Sequence, residues 1–218
     1  MSKWDCVLFD LDGTLIDSAP VVTRRFATTF REFGVQVPPY KELHSLLGPS
    51  AVMTMEKYLG IEQAHLGLTF FRELSNKEGL DEFQPFDGVR AVLDELKLSE
   101  IQLCVATSKP QIDAEEILKR NELDQYFAVV SGAKELEGMH HKADVIRHAL
   151  GQVNGVSLDR CLMVGDRFYD VEGASECGIA SYFVAWGGAE ISESFGALGI
   201  AHTTDELVEF ILSASDTA

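Results

Sequence analysis

The chain has 218 residues, with 35 acidic against 18 basic side chains and a formal net charge of −17. Such a surface repels nucleic acid and anionic lipid, so neither is an expected partner, and a phosphorylated ligand would need a locally positive pocket. With 46% hydrophobic and 24% charged residues, and no apolar run near the roughly 18 residues of a membrane helix, the composition fits a water-soluble protein of one or two domains.

In chain order, the first strand is expected at residues 6–10, starting too early to leave room for a signal sequence. A cytoplasmic enzyme is therefore expected. From 18 to 82 no strand pattern occurs. Val22, Phe26, Phe30 and Phe33 recur at helical spacing after Pro20, and Gly34 ends that run. Ser50 and Gly60 bracket a second helix, and a third runs over 64–77 before Gly79. Gln84-Pro85-Phe86-Asp87-Gly88 reads as the return, with Asp87 as N-cap of the next helix.

Beyond it, helices at 88–98, 111–121, 142–151 and 169–177 alternate with strands at 101–106, 127–130, 161–164 and 181–185. These strands are continuous apolar runs, as expected where both sheet faces are covered. The fold class is α/β, a doubly wound parallel sheet of Rossmann-like type with an inserted helical unit. The expected division is a core of 1–17 plus 83–218 and a helical cap over 18–82.

Cys6, Cys104, Cys161 and Cys177 show no metal-type pair spacing and read as small core residues of a reducing compartment. His44, His65, His140, His141, His148 and His202 likewise show no ligand spacing.

Open α/β sheets bind ligands at the carboxyl ends of their strands. The first strand ends in Asp10-Leu11-Asp12-Gly13-Thr14, and the second core strand in Thr107-Ser108-Lys109-Pro110. The fourth ends in Gly165-Asp166, with Asp170 four residues on, and Lys142 opens the preceding helix. Taken singly, each has a bland reading as a cap, a turn or a solvated charge. Together they bring several carboxylates to one sheet edge, where they would repel unless a cation or proton joined them. A hard divalent ion resolves that.

These motifs resemble those of the haloacid dehalogenase superfamily. Asp10-Leu11-Asp12-Gly13-Thr14-Leu15 matches its first motif, Thr107 its second and Lys142 its third. Gly165-Asp166-Arg167-Phe168-Tyr169-Asp170 matches the fourth. The helical insertion is similar to the α-helical cap of phosphoglycolate phosphatase-like and 5′-nucleotidase-like members.

The resemblance implies a Mg²⁺-dependent hydrolase acting on a small phosphorylated metabolite. In it Asp10 is the nucleophile and Asp12 the general acid and base. Leu11, Asp12, Gly13, Thr107, Ser108 and Lys142 hold the phosphate. Asp10, the carbonyl of Asp12 and Asp166 hold the metal, with Asp170 as ligand or support. Asp12 also separates this chain from the carbon–halogen-cleaving branch, which lacks a carboxylate there.

A phosphosugar mutase and a non-catalytic binding protein on the same scaffold are the alternatives. A phosphonate hydrolase is disfavoured, since neither Lys41, Lys57 nor Lys77 sits in an evident apolar pocket for a Schiff base. Arg24, Arg25, Arg72 and Lys109 are candidates for a second anionic group of the substrate, Lys109 foremost. Leu46-Leu47-Gly48-Pro49-Ser50 resembles a cap loop facing the site.

Overall fold

A computed structural model describes residues 3–48, 51–134, 138–139 and 141–213. Pro49 and Ser50 of the expected cap loop, and His140, lie outside the described residues. Six strands form one sheet in the order β5 (Val129–Ala133), β4 (Gln102–Pro110), β1 (Cys6–Phe9), β6 (Cys161–Gly165), β7 (Ala180–Val184), β8 (Ile200–Ala201). Every neighbouring pair is parallel.

The continuous apolar runs have a direct structural cause. Along β1, Val7 and Phe9 face one cluster while Cys6 and Leu8 face the other. β4 divides in the same way, Leu103 and Val105 against Cys104 and Ala106, and β6 does too, Leu162 and Val164 against Cys161 and Met163. Period-two geometry with a covered sheet makes every position apolar.

Helices α5 (Val89–Lys97), α6 (Gln111–Arg120) and α9 (Thr204–Leu212) cover the first face. Helices α7 (Lys142–Leu150) and α8 (Phe168–Glu176) cover the second. The thiols of Cys6, Cys104 and Cys161 are buried on that second face, as their apolar context implied.

Between β1 and α5 the chain leaves and re-enters through a two-residue antiparallel pair, β2 (Ile16–Asp17) with β3 (Gln84–Pro85). Among the described residues, four helices lie in between: α1 (Ala19–Glu32), α2 (Tyr40–His44), α3 (Ala51–Leu59) and α4 (Ile61–Glu78). They enclose their own apolar cluster around Phe26, Phe30, Met55 and Leu68. Phe26 stacks on Phe71 at 4.8 Å and Phe30 on Tyr58 at 4.7 Å.

The neck is fastened by charge. Buried Arg25 reaches Glu78 at 3.0 Å, Ser75 Oγ at 3.1 Å and the carbonyl of Gly79 at 2.7 Å. Arg24 pairs with Glu82 at 2.8 Å and Glu78 at 3.3 Å. Both are thus taken up by acids of the neck, which corrects their standing as candidates for a ligand anion.

Other expectations shift. Gly88, at φ +84°, is the N-cap of α5, not Asp87, and no side chain caps that end. A left-handed N-cap favours glycine, which moves the helix start one residue on. The third inserted helix starts at Ile61 rather than 64, because Gly60 supplies the break at its N-cap. The third core strand begins two residues later than expected, with Phe127 instead packing edge-on against Phe9 at 6.3 Å.

Candidate active site

The carboxyl ends of β1, β4 and β6 lie side by side, since β1 is the strand between the other two. Asp10 directly follows β1, and its N–H donates to the carbonyl of Val164 at 2.9 Å, binding it to the end of β6. Asp166 directly follows β6. Asp170 lies in the first turn of α8 and accepts from the N–H of Arg167 at 3.0 Å. Oxygens of Asp10, Asp166 and Asp170 all come within 4.8 Å of one another, and all three residues are buried.

One cation stands among them. Lys142, the first residue of α7, is buried, with its Nζ 2.8 Å from Asp10 Oδ1 and 2.8 Å from Asp170 Oδ1. It also donates to the carbonyl of Ala106 at 3.1 Å, so its three N–H groups face three acceptors. Burial opposes the ammonium charge, but Asp10 and Asp170 outweigh it and raise the Lys142 pKa.

Three carboxylates against one ammonium leave a charge deficit. Burial, then Asp170 and Asp10, push the Asp166 carboxyl well above the usual carboxylate range, against Arg167 and Lys142. Burial also raises Asp170 to about 6, with Lys142 opposing and Asp10 adding. The centre therefore lacks positive charge. A buried, all-oxygen donor set is what a hard divalent cation takes.

Asp12 is placed differently. Its carboxylate stands outside that cluster and is gripped by Lys109 Nζ at 3.0 and 2.9 Å. The same ammonium lies 4.6 Å from the centre of the Phe83 ring, a cation–π contact. Lys109 is thus bound to Asp12 rather than left over for a ligand.

Thr107 is buried, and its Oγ1 accepts from the N–H of Lys109 at 3.2 Å, leaving the hydroxyl hydrogen to donate elsewhere. It does not cap α6, which starts at Gln111 with Pro110 at its N-cap. Leu11 contributes backbone alone. Its side chain is buried in the core and its carbonyl accepts from Leu15 and Ile16, at 3.0 and 2.9 Å.

Two glycines let the backbone close on Asp166. Gly13 turns at φ +80°, and a Cβ there would overlap the Asp166 carboxylate. A Cβ on Gly187, in the loop after β7, would overlap both Asp166 Oδ2 and the carbonyl of Gly13. Gly187→Ala is therefore expected to displace Asp166 and lower turnover about 10²-fold, the effect of an ångström-scale misplacement. Steady-state kinetics beside a melting curve separate this from general instability.

Residues given no role in the sequence reading complete the surroundings. Arg167 Nε pairs with Glu193 Oε2 at 2.8 Å, and its Nη2 reaches the carbonyl of Ser45 at 3.4 Å. Trp186 Nε1 donates to the carbonyl of Thr14 at 3.0 Å. Arg167 could have been suspected from its place inside the fourth motif. Glu193, 26 residues away, carried no signal.

A family model described as haloacid dehalogenase-like hydrolase matches residues 7–184. The chain belongs to this family. Among similar members is a 5′-nucleotidase of Pseudomonas aeruginosa, 35% identical over 188 residues, which span 85% of this chain and 84% of that protein.

The tyrosine-protein kinase PtkA of Mycobacterium tuberculosis is 34% identical over 208 residues, 93% of this chain and 71% of that one. The crystal structure of a predicted phosphatase from Clostridium acetobutylicum superposes with a TM-score of 0.89 at 34% identity. That match covers 96% of this chain and 98% of the other. Among the described residues of this haloacid dehalogenase-like hydrolase, no helix is long and apolar enough to cross a membrane.

Proposed function

We propose that the protein is a Mg²⁺-dependent phosphatase that hydrolyses a small phosphate monoester through an aspartyl-phosphate on Asp10. Phosphoglycolate and nucleoside 5′-monophosphates are the representative substrate types. The observation that carries this reading is the buried trio Asp10, Asp166 and Asp170 around Lys142, short of positive charge. Helices α1–α4 would act as the cap over it.

Asp10 attacks phosphorus, forming a bond to its carboxylate oxygen as the ester P–O bond breaks. Asp12, entering the step protonated, gives its proton to the leaving oxygen. It then takes a proton from a water whose oxygen bonds to phosphorus as the Asp10–phosphorus bond breaks, which releases inorganic phosphate and restores both side chains. Lys109 fixes the position of Asp12. Thr107, through its hydroxyl, and the N–H groups of Leu11, Asp12 and Ser108 hold the phosphoryl oxygens. Gly13, whose N–H donates to the carbonyl of Ile16 at 2.9 Å, shapes the turn instead of binding phosphate. Lys142 neutralises phosphate and nucleophile together. Asp10, Asp166 and the carbonyl of Asp12 would hold Mg²⁺, with Asp170 beside them, and the ion would supply charge stabilisation for the transferring group. Catalysis of this kind is mainly positioning and electrostatics.

The test is inorganic phosphate release from a panel of esters. Chelation is expected to stop release and added magnesium to restore it. The melting temperature should rise with magnesium, by the equivalent of about 2.7 kcal/mol at one hundred times Kd. Asp166→Asn should lose that rise. Sustained phosphate release also eliminates the mutase alternative. Activity indifferent to chelation would refute the metal-dependent mechanism.

A further inference from the structure

A cavity of about 340 Å³ opens between α2 and the loop after β7. Two chain junctions tie it to the carboxylate centre. Arg167, in its lining, directly follows Asp166. Gly188, also in its lining, directly follows Gly187, which packs on Asp166. Consecutive Cα atoms are about 3.8 Å apart. The cavity wall thus begins one residue from Asp166 along the chain and one residue from the glycine that packs on it, which puts it within reach of the far half of a small ester.

The lining is electrically closed. Its two cations are each matched to an acid of the same lining, Arg167 to Glu193 at 2.8 Å and Lys41 to Glu190 at 2.7 Å. Nearer the carboxylates, Lys109 is held by Asp12 and Lys142 by Asp10 and Asp170. A second anion on the substrate would meet Glu190 and Glu193 and break an existing pair to find a partner. An uncharged group meets neither cost.

The lining also offers aromatic surface. Tyr40 and His44, one turn apart on α2, have ring centres 5.9 Å apart at 55°. Tyr40 is 62% exposed, so its ring is not spent on the core. His44 lies against Gly188, and burial, helped by Arg167, lowers its pKa and so favours the neutral ring. Neutral rings beside carboxylates suit a flat, uncharged heterocycle bearing amino groups.

We infer that this cavity receives the nucleoside half of a nucleoside 5′-monophosphate, with the base against Tyr40 and His44. The inference rests on the phosphatase reading and narrows its substrate class. It assigns Tyr40 and His44 to specificity and leaves the phosphoryl chemistry to the residues already described.

The test compares kcat/KM, with magnesium, for nucleoside 5′-monophosphates, phosphoglycolate and a phosphotyrosine peptide, in the wild type and in Tyr40→Ala and His44→Ala. The wild type is expected to prefer the nucleotides. Each variant should lower the nucleotide-to-phosphoglycolate ratio roughly 10-fold, mainly through KM, as loss of one base-stacking contact does. Tyr40→Phe should keep the ratio. Because Tyr40 is mostly exposed, its truncation leaves the fold intact.

A wild-type preference for phosphoglycolate or for the peptide overturns the inference while sparing the phosphatase reading. So does an equal loss on every ester in both variants, or no loss in either. Release of phosphate from no ester at all overturns the phosphatase reading itself, and the inference with it.

Discussion

Asp10→Asn is expected to lower kcat for phosphate release by at least about 10⁴-fold, the scale on which removal of a nucleophile acts. The amide keeps the size of the carboxylate but not the charge that attacks phosphorus. Its neighbours retain their partners: Lys142 still has Asp170 at 2.8 Å and the carbonyl of Ala106 at 3.1 Å. The substitution also removes one anion from a site where Asp10 raises the pKa of both Asp166 and Asp170. The variant should therefore melt no lower than the wild type in chelator.

That pairing of outcomes is what makes the experiment decisive. A folding defect would lower activity and melting temperature together, whereas loss of the nucleophile lowers activity alone. Single-turnover quench of the wild type should trap phosphate on the protein, and the Asp10→Asn variant should trap none. Should the variant keep more than about one hundredth of wild-type turnover, Asp10 is not the nucleophile.

The parts of this site legible in the sequence are those fixed by one strand end and its own turn. Asp10, Asp166 and Asp170 follow apolar runs that are continuous because both sheet faces are covered, and the crossover topology brings their ends together. Partners drawn from distant segments were not legible. Lys109 stands two residues after Thr107 in sequence, yet its grip on Asp12 depends on β4 lying beside β1. Arg24 and Arg25 look like free cations until the neck closes and brings Glu78 and Glu82 to them.

Short elements escaped for a related reason. β2 and β3 have two residues each, α2 has five and β8 two, too few for any periodicity to register. Yet α2 carries Tyr40 and His44, and β2 with β3 forms the neck. α9 is a different case: amphipathic over nine residues with Thr203 as its N-cap, it is long enough to register, yet none of the helices expected from the sequence lies there.

Lys142→Met is expected to cost about 3–5 kcal/mol of unfolding free energy in the metal-free protein at neutral pH, because it leaves buried carboxylates without their cation. The pH dependence follows from the direction of the shifts. Asp166 and Asp170 have folded-state pKa values raised above the unfolded ones, the latter to about 6. The native state then binds protons more tightly, so stability falls as pH rises from the unfolded carboxylate range of about 4 through the folded values. Lys142 lowers both values, and without it they move further up. The deficit of the variant should therefore be widest above about pH 7 and narrow toward pH 5, since protonation supplies the positive charge that the lysine no longer does. Magnesium should narrow it too, at neutral pH, by the same charge argument. Urea unfolding at pH 5 and pH 7.5, with chelator and with magnesium, measures all three. Equal deficits under every condition would mean that Lys142 stabilises through the packing of its stem against α8 and not through its charge.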